Sequence, residues 1–314
     1  MNLHQDRKLF SQTLYAAAQH LGIKVEFVEK DYWITLILSR LAKSKYVDVS
    51  VFKGGTSLSK GYHLIDRFSE DVDIAIINDE GKTGNEIKAR IRAIEKEITV
   101  VLNEMPLVGV TSKGSRFRKS VFEYKSIEKS HRNNKVIVEI NSFANPFPFQ
   151  RLPIRSMVFD FFIQTQNEKY IELFNLGSFE VNVLSKEQTL LEKMVSLIRS
   201  SFQEKAVEGI SGKIRHFYDI YYLLQDEECL EFIASDSFKQ RFKTILEHDL
   251  DMFEEPLGWQ AKSIYESPLI DDFPSMWKQL KVKFQAELSA LAYRPIPDER
   301  EVARYFSNLM DRIK

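Results

Sequence analysis

A pair of short apolar runs, joined through a glycine turn, sets the tightest limits on the fold of this chain. The runs are VDVSVF (47–52) and VDIAII (72–77), and both have the length and residue types of β-strands. Between them, Gly54 and Gly55 end the first strand, and SLSKGYHLIDRF predicts a short helix. Strands and a helix so close in sequence must share one core, so the pattern predicts a sheet with helices packed on it.

The rest of the chain divides into a part with strands and a part almost wholly helical. Helices are predicted in 9–43, interrupted at Gly22, and in 85–104. Further strands are predicted in RFRKSVFEYK and KVIVEINSF, a hairpin joined by SIEKSHRNN, and in VFDFFIQ and FEVNVL. From Ser185 onward helical periodicity dominates, beginning with a capping-box pattern. We therefore predict an α+β fold with a sheet domain over residues 1–184 and an α-helical domain over residues 185–314.

Composition excludes several classes of protein. The chain has 314 residues, of which 44% are hydrophobic and 28% charged, as in globular rather than disordered proteins. No apolar run reaches the length of a membrane span, and the N-terminus lacks the apolar core of a signal peptide. The single cysteine, Cys229, excludes an internal disulfide framework and a thiolate metal site. We expect a cytoplasmic protein without a membrane partner.

The glycine turn is a candidate phosphate-binding site. Gly54 and Gly55 allow a close approach that a side chain would block, and the N–H groups that follow, from Thr56 onward, begin a helix. Ser57 adds a hydroxyl and Lys60 a positive charge. The segment is not a Walker A loop, because serine rather than glycine precedes the lysine.

A pair of carboxylates follows at the start of the second strand. Asp71 and Asp73 are two residues apart, so both point to one face of the strand. Two like charges side by side are costly unless a cation lies between them, and Mg²⁺ (or Mn²⁺) favours carboxylates together with phosphate oxygens. Glu139, in the apolar run VIVEINSF, is the candidate third ligand; the alternative is an edge-strand glutamate that faces water.

Four stretches of the sequence resemble the AbiEii/AbiGii toxin family of nucleotidyltransferases, which belongs to type IV toxin–antitoxin and abortive-infection systems. The four stretches are FVEKDYWITLIL (27–38), FKGGTSLSKGYHLIDRFSEDVDIAI (52–76), VLSKEQTLLEKMVSLI (183–198) and IRHFYDIYYLL (214–224). The resemblance implies a nucleotidyltransferase core of the DNA polymerase β type, with a mixed sheet and flanking helices, followed by a helical domain. It also implies a nucleoside triphosphate (NTP) as substrate, a tRNA acceptor and a cognate antitoxin.

The resemblance also implies roles for single residues. Asp71 and Asp73 become metal ligands, and Ser57 and Lys60 become phosphate contacts. Lys193 of the third stretch and Asp219 of the fourth become catalytic or nucleotide-binding residues. Family members often have Arg-Asp at the start of the fourth stretch, whereas here His216 follows Arg215. Arg215 and Asp219 are also spaced as an i,i+4 pair, with the cation first.

A basic segment suggests the acceptor. Eight Lys/Arg and two Glu lie between Lys113 and Lys135, and the segment also contains aromatic residues. Such a surface suits an RNA backbone, with Arg116, Arg118 and Lys119 as candidate contacts; a solvated hairpin face looks similar. The alternative functions are transfer to a protein or a small molecule, and a non-catalytic nucleotide- or RNA-binding module with the same fold.

Overall fold

The computed structural model describes residues 2–69, 71–77, 81–128 and 134–314. The chain forms two compact units. The first comprises Met1–Tyr62 and Phe68–Leu184, and the second comprises His63–Arg67 and Ser185–Lys314. Among the helices in the described ranges, none has the length and apolar character needed to cross a membrane.

In the described ranges, the first unit combines six α-helices with one mixed sheet. Its elements are α1 (Arg7–Leu21), α2 (Val25–Lys43), β1 (Ser50–Lys53), α3 (Gly54–Lys60), β2 (Asp71–Ile76), α4 (Gly84–Ile98), β3 (Asn103–Glu104), β4 (Ser112–Lys113), β5 (Phe117–Glu123), β6 (Lys135–Asn141), β7 (Phe149–Ile154), α5 (Met157–Gln164), α6 (Lys169–Leu173) and β8 (Phe179–Leu184). The strand order is β3-β5-β6-β2-β1-β8-β7, and β4 pairs with β5.

The sheet is mixed, and helices cover one of its faces. β1 is antiparallel to β2 and parallel to β8, whereas β2 and β6 are parallel. On β2, Val72 and Ile74 are fully buried, as is Val138 on β6, and α2 and α4 pack against this sheet. The alternate residues of β2, among them Asp71 and Asp73, point to the opposite face. This mixed sheet with flanking helices confirms the predicted fold class.

The structure differs from the sequence predictions at several local points. VFDFFIQ lies in helix α5 rather than in a strand, because the Ser156 hydroxyl caps the helix by accepting from Phe159 N (3.1 Å). Val158 and Phe162, four residues apart, are then buried on one side, which is a helical spacing. The predicted strand at 47–52 begins only at Ser50. β7 was not predicted; it contains a proline and lies at the sheet edge, where proline is tolerated.

The predicted hairpin of β5 and β6 is confirmed, with antiparallel pairing from Phe117↔Asn141 to Glu123↔Lys135. Part of its connection SIEKSHRNN, residues 129–133, lies outside the described residues.

The second unit is helical, as predicted for the C-terminal part. Its helices are α7 (Lys186–Ser201), α8 (Ala206–Ser211), α9 (Arg215–Leu223), α10 (Glu227–Ala234), α11 (Ser237–Met252), α12 (Pro268–Asp271), α13 (Phe273–Leu291) and α14 (Glu299–Asp311). Aromatic rings of α9, α13 and α14 pack together, with Phe217 4.7 Å from Phe306 and 5.2 Å from Trp277 between ring centroids.

Candidate active site

Acidic residues lie between two lysines across the sheet face that carries the predicted carboxylates. Asp71 and Asp73 are both half-buried on β2. Asp73 pairs in register with Glu139 of β6 on one side and with Lys53 of β1 on the other. Glu139 in turn pairs with Lys119 of β5, and the Lys119 Nζ lies 3.3 Å from the Glu139 Oε2. The three acidic residues predicted from separate stretches are thus placed on neighbouring strands.

Burial and neighbouring charges shift the pKa values of these groups. Burial raises the pKa of Asp73 to about 8, and Glu139 and Asp71 add to the effect, while Lys53 and Lys119 oppose it. Burial alone would lower the pKa of Lys119, but Glu139 and Asp71 hold it above its usual value. The ionised form of Asp73 therefore needs more positive charge than these two lysines supply.

The donor chemistry of this face fits Mg²⁺ or Mn²⁺. Oxygen ligands from one or two carboxylates, completed by substrate phosphate, are the usual magnesium set. Within the described ranges, no group of three or more His, Cys, Asp or Glu side chains is arranged to hold a metal ion. Glu139 is paired with Lys119, and Asp71 and Asp73 lie on the neighbouring strand as acidic residues suited to a cation shared with phosphate.

Gly54 connects the glycine turn to the carboxylates. It has a φ of +79°, and a Cβ at this position would lie 2.2 Å from the Asp73 Oδ2. The hydroxyl of Thr56 donates to the main-chain oxygen of Asp71, so helix α3 is fixed against the start of β2. Gly55 is the second residue of α3, at its N-terminus. The turn and the carboxylate pair therefore form one structural feature, and glycine is required where they meet.

Ser57 and Lys60 have internal partners. The Ser57 hydroxyl is fully buried and donates to the Gly54 main-chain oxygen (2.8 Å). Lys60 is also buried, and its Nζ pairs with the Asp31 carboxylate of α2. The other oxygen of Asp31 accepts from Met157 N (2.7 Å). The side chains of Ser57 and Lys60, both predicted to contact phosphate, therefore hold α3 in position and do not face outward.

In the second unit, Lys193 and Asp219 lie in one ion cluster. Asp219 is fully buried, and its carboxylate accepts from Lys193 Nζ (2.7 Å) and from Arg67 Nε and Nη2 (both 2.7 Å). Burial would raise the pKa of Asp219, but Arg67 and Lys193 hold it well below its usual range. Arg215, the expected i,i+4 neighbour, pairs instead with Glu287 (3.1 Å).

Sequence reasoning missed two charged residues. Arg67 is the bidentate partner of Asp219, although 152 residues separate them. Lys53 directly precedes the glycine pair and lies opposite Asp73. Lys53 could have been found from its place at the end of the strand; nothing local to Arg67 indicated its partner.

The basic hairpin differs from its prediction. Arg116 is exposed. Arg118 lies on the helix-covered face, where it pairs with Glu95 of α4 and, at 3.6 Å, with Glu104, and its side chain is only 12% exposed. Because the charge of Arg118 is neutralised within the protein, its placement does not suit the predicted RNA contact. Lys119 is engaged with Glu139.

Comparison with known proteins agrees with this architecture. The model of the family described as nucleotidyl transferase AbiEii toxin, type IV toxin–antitoxin system, matches residues 36–307. No curated protein matches. Among solved structures, MenT4, a nucleotidyltransferase toxin from Mycobacterium tuberculosis H37Rv, is similar with a TM-score of 0.50 and 14% identity, over 96% of this chain and 99% of that one. A "putative nucleotidyltransferase from H. pylori" aligns with a TM-score of 0.40 and 14% identity, over 85% and 99%.

The structural likeness to MenT4 shows a shared fold. The family match covers most of the chain, including the glycine turn, both aspartates of β2 and the Lys193–Asp219 pair. The chain therefore belongs to the AbiEii family of nucleotidyltransferase toxins of type IV toxin–antitoxin systems.

Proposed function

We propose that the protein transfers a nucleoside monophosphate from an NTP to an RNA acceptor, with release of pyrophosphate. The observation that carries the proposal is the contact of Gly54 with Asp73 beside Asp71. It joins a candidate phosphate-binding turn to a carboxylate pair, and phosphoryl-transfer enzymes depend mainly on positioning and charge neutralisation.

In this proposal Asp71 and Asp73 would hold Mg²⁺ or Mn²⁺, and Glu139 would join them when Lys119 releases it. When bound, the ion would offset the negative charge of the phosphates. The chain itself contributes Lys53 and Lys119, two positive charges on the same sheet face. Because Gly54 has no side chain, the Asp73 carboxylate can lie directly against the glycine turn.

The N-terminal turn of α3 would bind phosphate through main-chain N–H groups at Gly55 and Thr56. The side chains of Ser57 and Lys60 would act by fixing this helix, because they donate hydrogen bonds to the Gly54 main-chain oxygen and to the Asp31 carboxylate. A phosphate contact by Lys60, as the family resemblance implies, would require it to leave Asp31.

Within the second unit, Lys193 and Asp219 would act as catalytic or nucleotide-binding residues. Arg67 and Lys193 both pair with the buried Asp219 carboxylate. Asp219 would keep the Lys193 ammonium in a fixed place, and Arg67 would do the same for Asp219.

The proposed cellular role is that of a growth-inhibiting toxin in a phage-defence or related system, acting in the cytoplasm and neutralised by a cognate antitoxin. It rests on family membership. In the first unit, the exposed Arg116 is the one of the three hairpin residues that remains a candidate for RNA contact.

Incubation of the protein with labelled NTPs, Mg²⁺ and total RNA, and separately with total protein, tests the proposal. We expect label in RNA with wild type and none with Asp71→Asn, which keeps the side-chain size and removes the charge. Label in protein but not in RNA would show that the acceptor is a protein. If no label appears in either pool and no pyrophosphate is released, the proposal of catalytic transfer is wrong.

A further inference from the structure

A groove between helices α13 and α14 of the second unit has an unusual charge. It has a volume of about 370 Å³ and a floor formed by Phe273 and Trp277. Its walls carry four cations, Lys278 and Lys281 on α13 and Arg300 and Arg304 on α14.

The local positive charge contrasts with the rest of this part of the chain. Residues 185–314 contain eighteen Lys and Arg but twenty-three Asp and Glu. Four of the eighteen cations line this one groove, whereas Glu299 is the only acidic residue lining it among the residues that the structure describes. Glu299 is already engaged, because it accepts from Trp277 Nε1 (2.9 Å) and pairs with Lys281 (3.5 Å).

The two walls present their cations in rows. Lys278 and Lys281 are three residues apart on α13, and Arg300 and Arg304 are four apart on α14, so each pair lies on one face of its helix, about 5–6 Å apart between Cβ atoms. Lys278 and Arg300 are exposed, and Arg300 forms no ion pair within the described ranges. Arg304 pairs with Glu301 at 3.6 Å and lies over the Tyr305 ring, 5.2 Å from its centroid, and its side chain remains 63% exposed.

We propose that this groove binds the phosphodiester backbone of the RNA acceptor; the inference rests on the proposed function and adds a second place of RNA contact to it. Rows of Lys and Arg along a groove are the usual means of following a nucleic acid backbone. An amphipathic protein helix fits less well, because it needs an open apolar floor. The rings of Phe273 and Trp277 are only 4% and 5% exposed.

The test compares two double variants of the full chain that change charge equally. Lys278→Glu with Arg300→Glu reverses one cation on each wall. Lys239→Glu with Lys243→Glu reverses two exposed lysines of α11, outside the groove. Binding of a short fluorescein-labelled single-stranded RNA is measured by anisotropy over a salt series, and thermal melting of each variant reports folding.

The groove variant is expected to bind RNA at least about tenfold more weakly at low salt, and to lose about 1.4 units of the log–log salt slope, roughly 0.7 for each of two contacts. The α11 variant is expected to keep most of the wild-type affinity and the full slope. In transfer assays, the groove variant should need more RNA for half-maximal rate but reach the wild-type rate at saturation.

Equal binding by the wild type and the groove variant, or equal losses in both variants, would overturn the groove proposal. If wild type then still transfers nucleotide to RNA, the proposed function stands without the groove. If wild type binds polyglutamate through the groove but no RNA, the partner is an acidic protein segment and the RNA assignment of the groove is wrong.

Discussion

Replacing Gly54 with alanine tests the link between the glycine turn and the carboxylate pair. The added Cβ would lie 2.2 Å from the Asp73 Oδ2, closer than such atoms come in proteins, so the carboxylate must move. The φ of +79° at this position is also unfavourable for any residue with a Cβ. The substitution therefore changes the position of one proposed metal ligand without removing it.

The two effects can be given magnitudes. A left-handed conformation costs alanine about 1–2 kcal/mol, and turning Asp73 off its preferred rotamer about 0.5–1.5 kcal/mol more. Alanine also lowers the conformational entropy of the unfolded chain, which stabilises the folded state and offsets about 0.4–1 kcal/mol of this cost. We expect Gly54→Ala to lower the free energy of unfolding by about 1–2 kcal/mol. Misplacement of a catalytic carboxylate should reduce the transfer rate about a hundredfold.

Gly22→Ala is the matched control. Gly22 also has a positive φ, +68°, but a Cβ there would meet no atom within 4 Å. It should share the backbone cost and leave the transfer rate unchanged. Urea unfolding and initial transfer rates of both variants separate stability from activity. A Gly54→Ala enzyme as active as Gly22→Ala would refute the argument that this contact positions Asp73.

Three further predictions concern charge. In metal-free protein, the folded-state pKa of Asp73, about 8, lies above its unfolded value, so its contribution to stability is complete below about pH 4 and is lost as the pH rises towards 8. Urea titrations in the presence of a chelator should show that the free energy of unfolding declines with pH, and Asp73→Asn should reduce this decline. An equal pH dependence in wild type and variant would contradict the raised pKa of Asp73. Asp219→Ala leaves two buried cations and should cost about 3–5 kcal/mol of unfolding free energy, whereas Lys193→Met leaves Asp219 with Arg67 and should cost about 1–3 kcal/mol. The reverse order in denaturant melts would mean that Arg67 does not hold Asp219. Expression of wild type should slow bacterial growth, and Asp71→Asn at equal soluble level should not; equal toxicity would point to a non-catalytic effect.

Some of this protein can be predicted from short stretches of its sequence. Strand alternation places Asp71 and Asp73 on one face because neighbouring side chains of a strand point to opposite sides. The helical character of the C-terminal part follows from its periodicity and its capping residue Ser185. Where a local pattern fits two structures, as in VFDFFIQ, helix and strand could not be separated by composition, and burial of Val158 and Phe162 decided for the helix.

The partners of the charged residues were decided only by the tertiary structure. Lys60 meets Asp31 across 29 residues, Lys193 meets Asp219 across 26, and Arg67 meets Asp219 across 152. A charge on a helix or strand can point to a phosphate, to water or to a buried carboxylate, and its own neighbours in sequence do not distinguish these cases. The choice depends on which segments pack together and exclude water, since a buried charge is stable only beside its counter-charge.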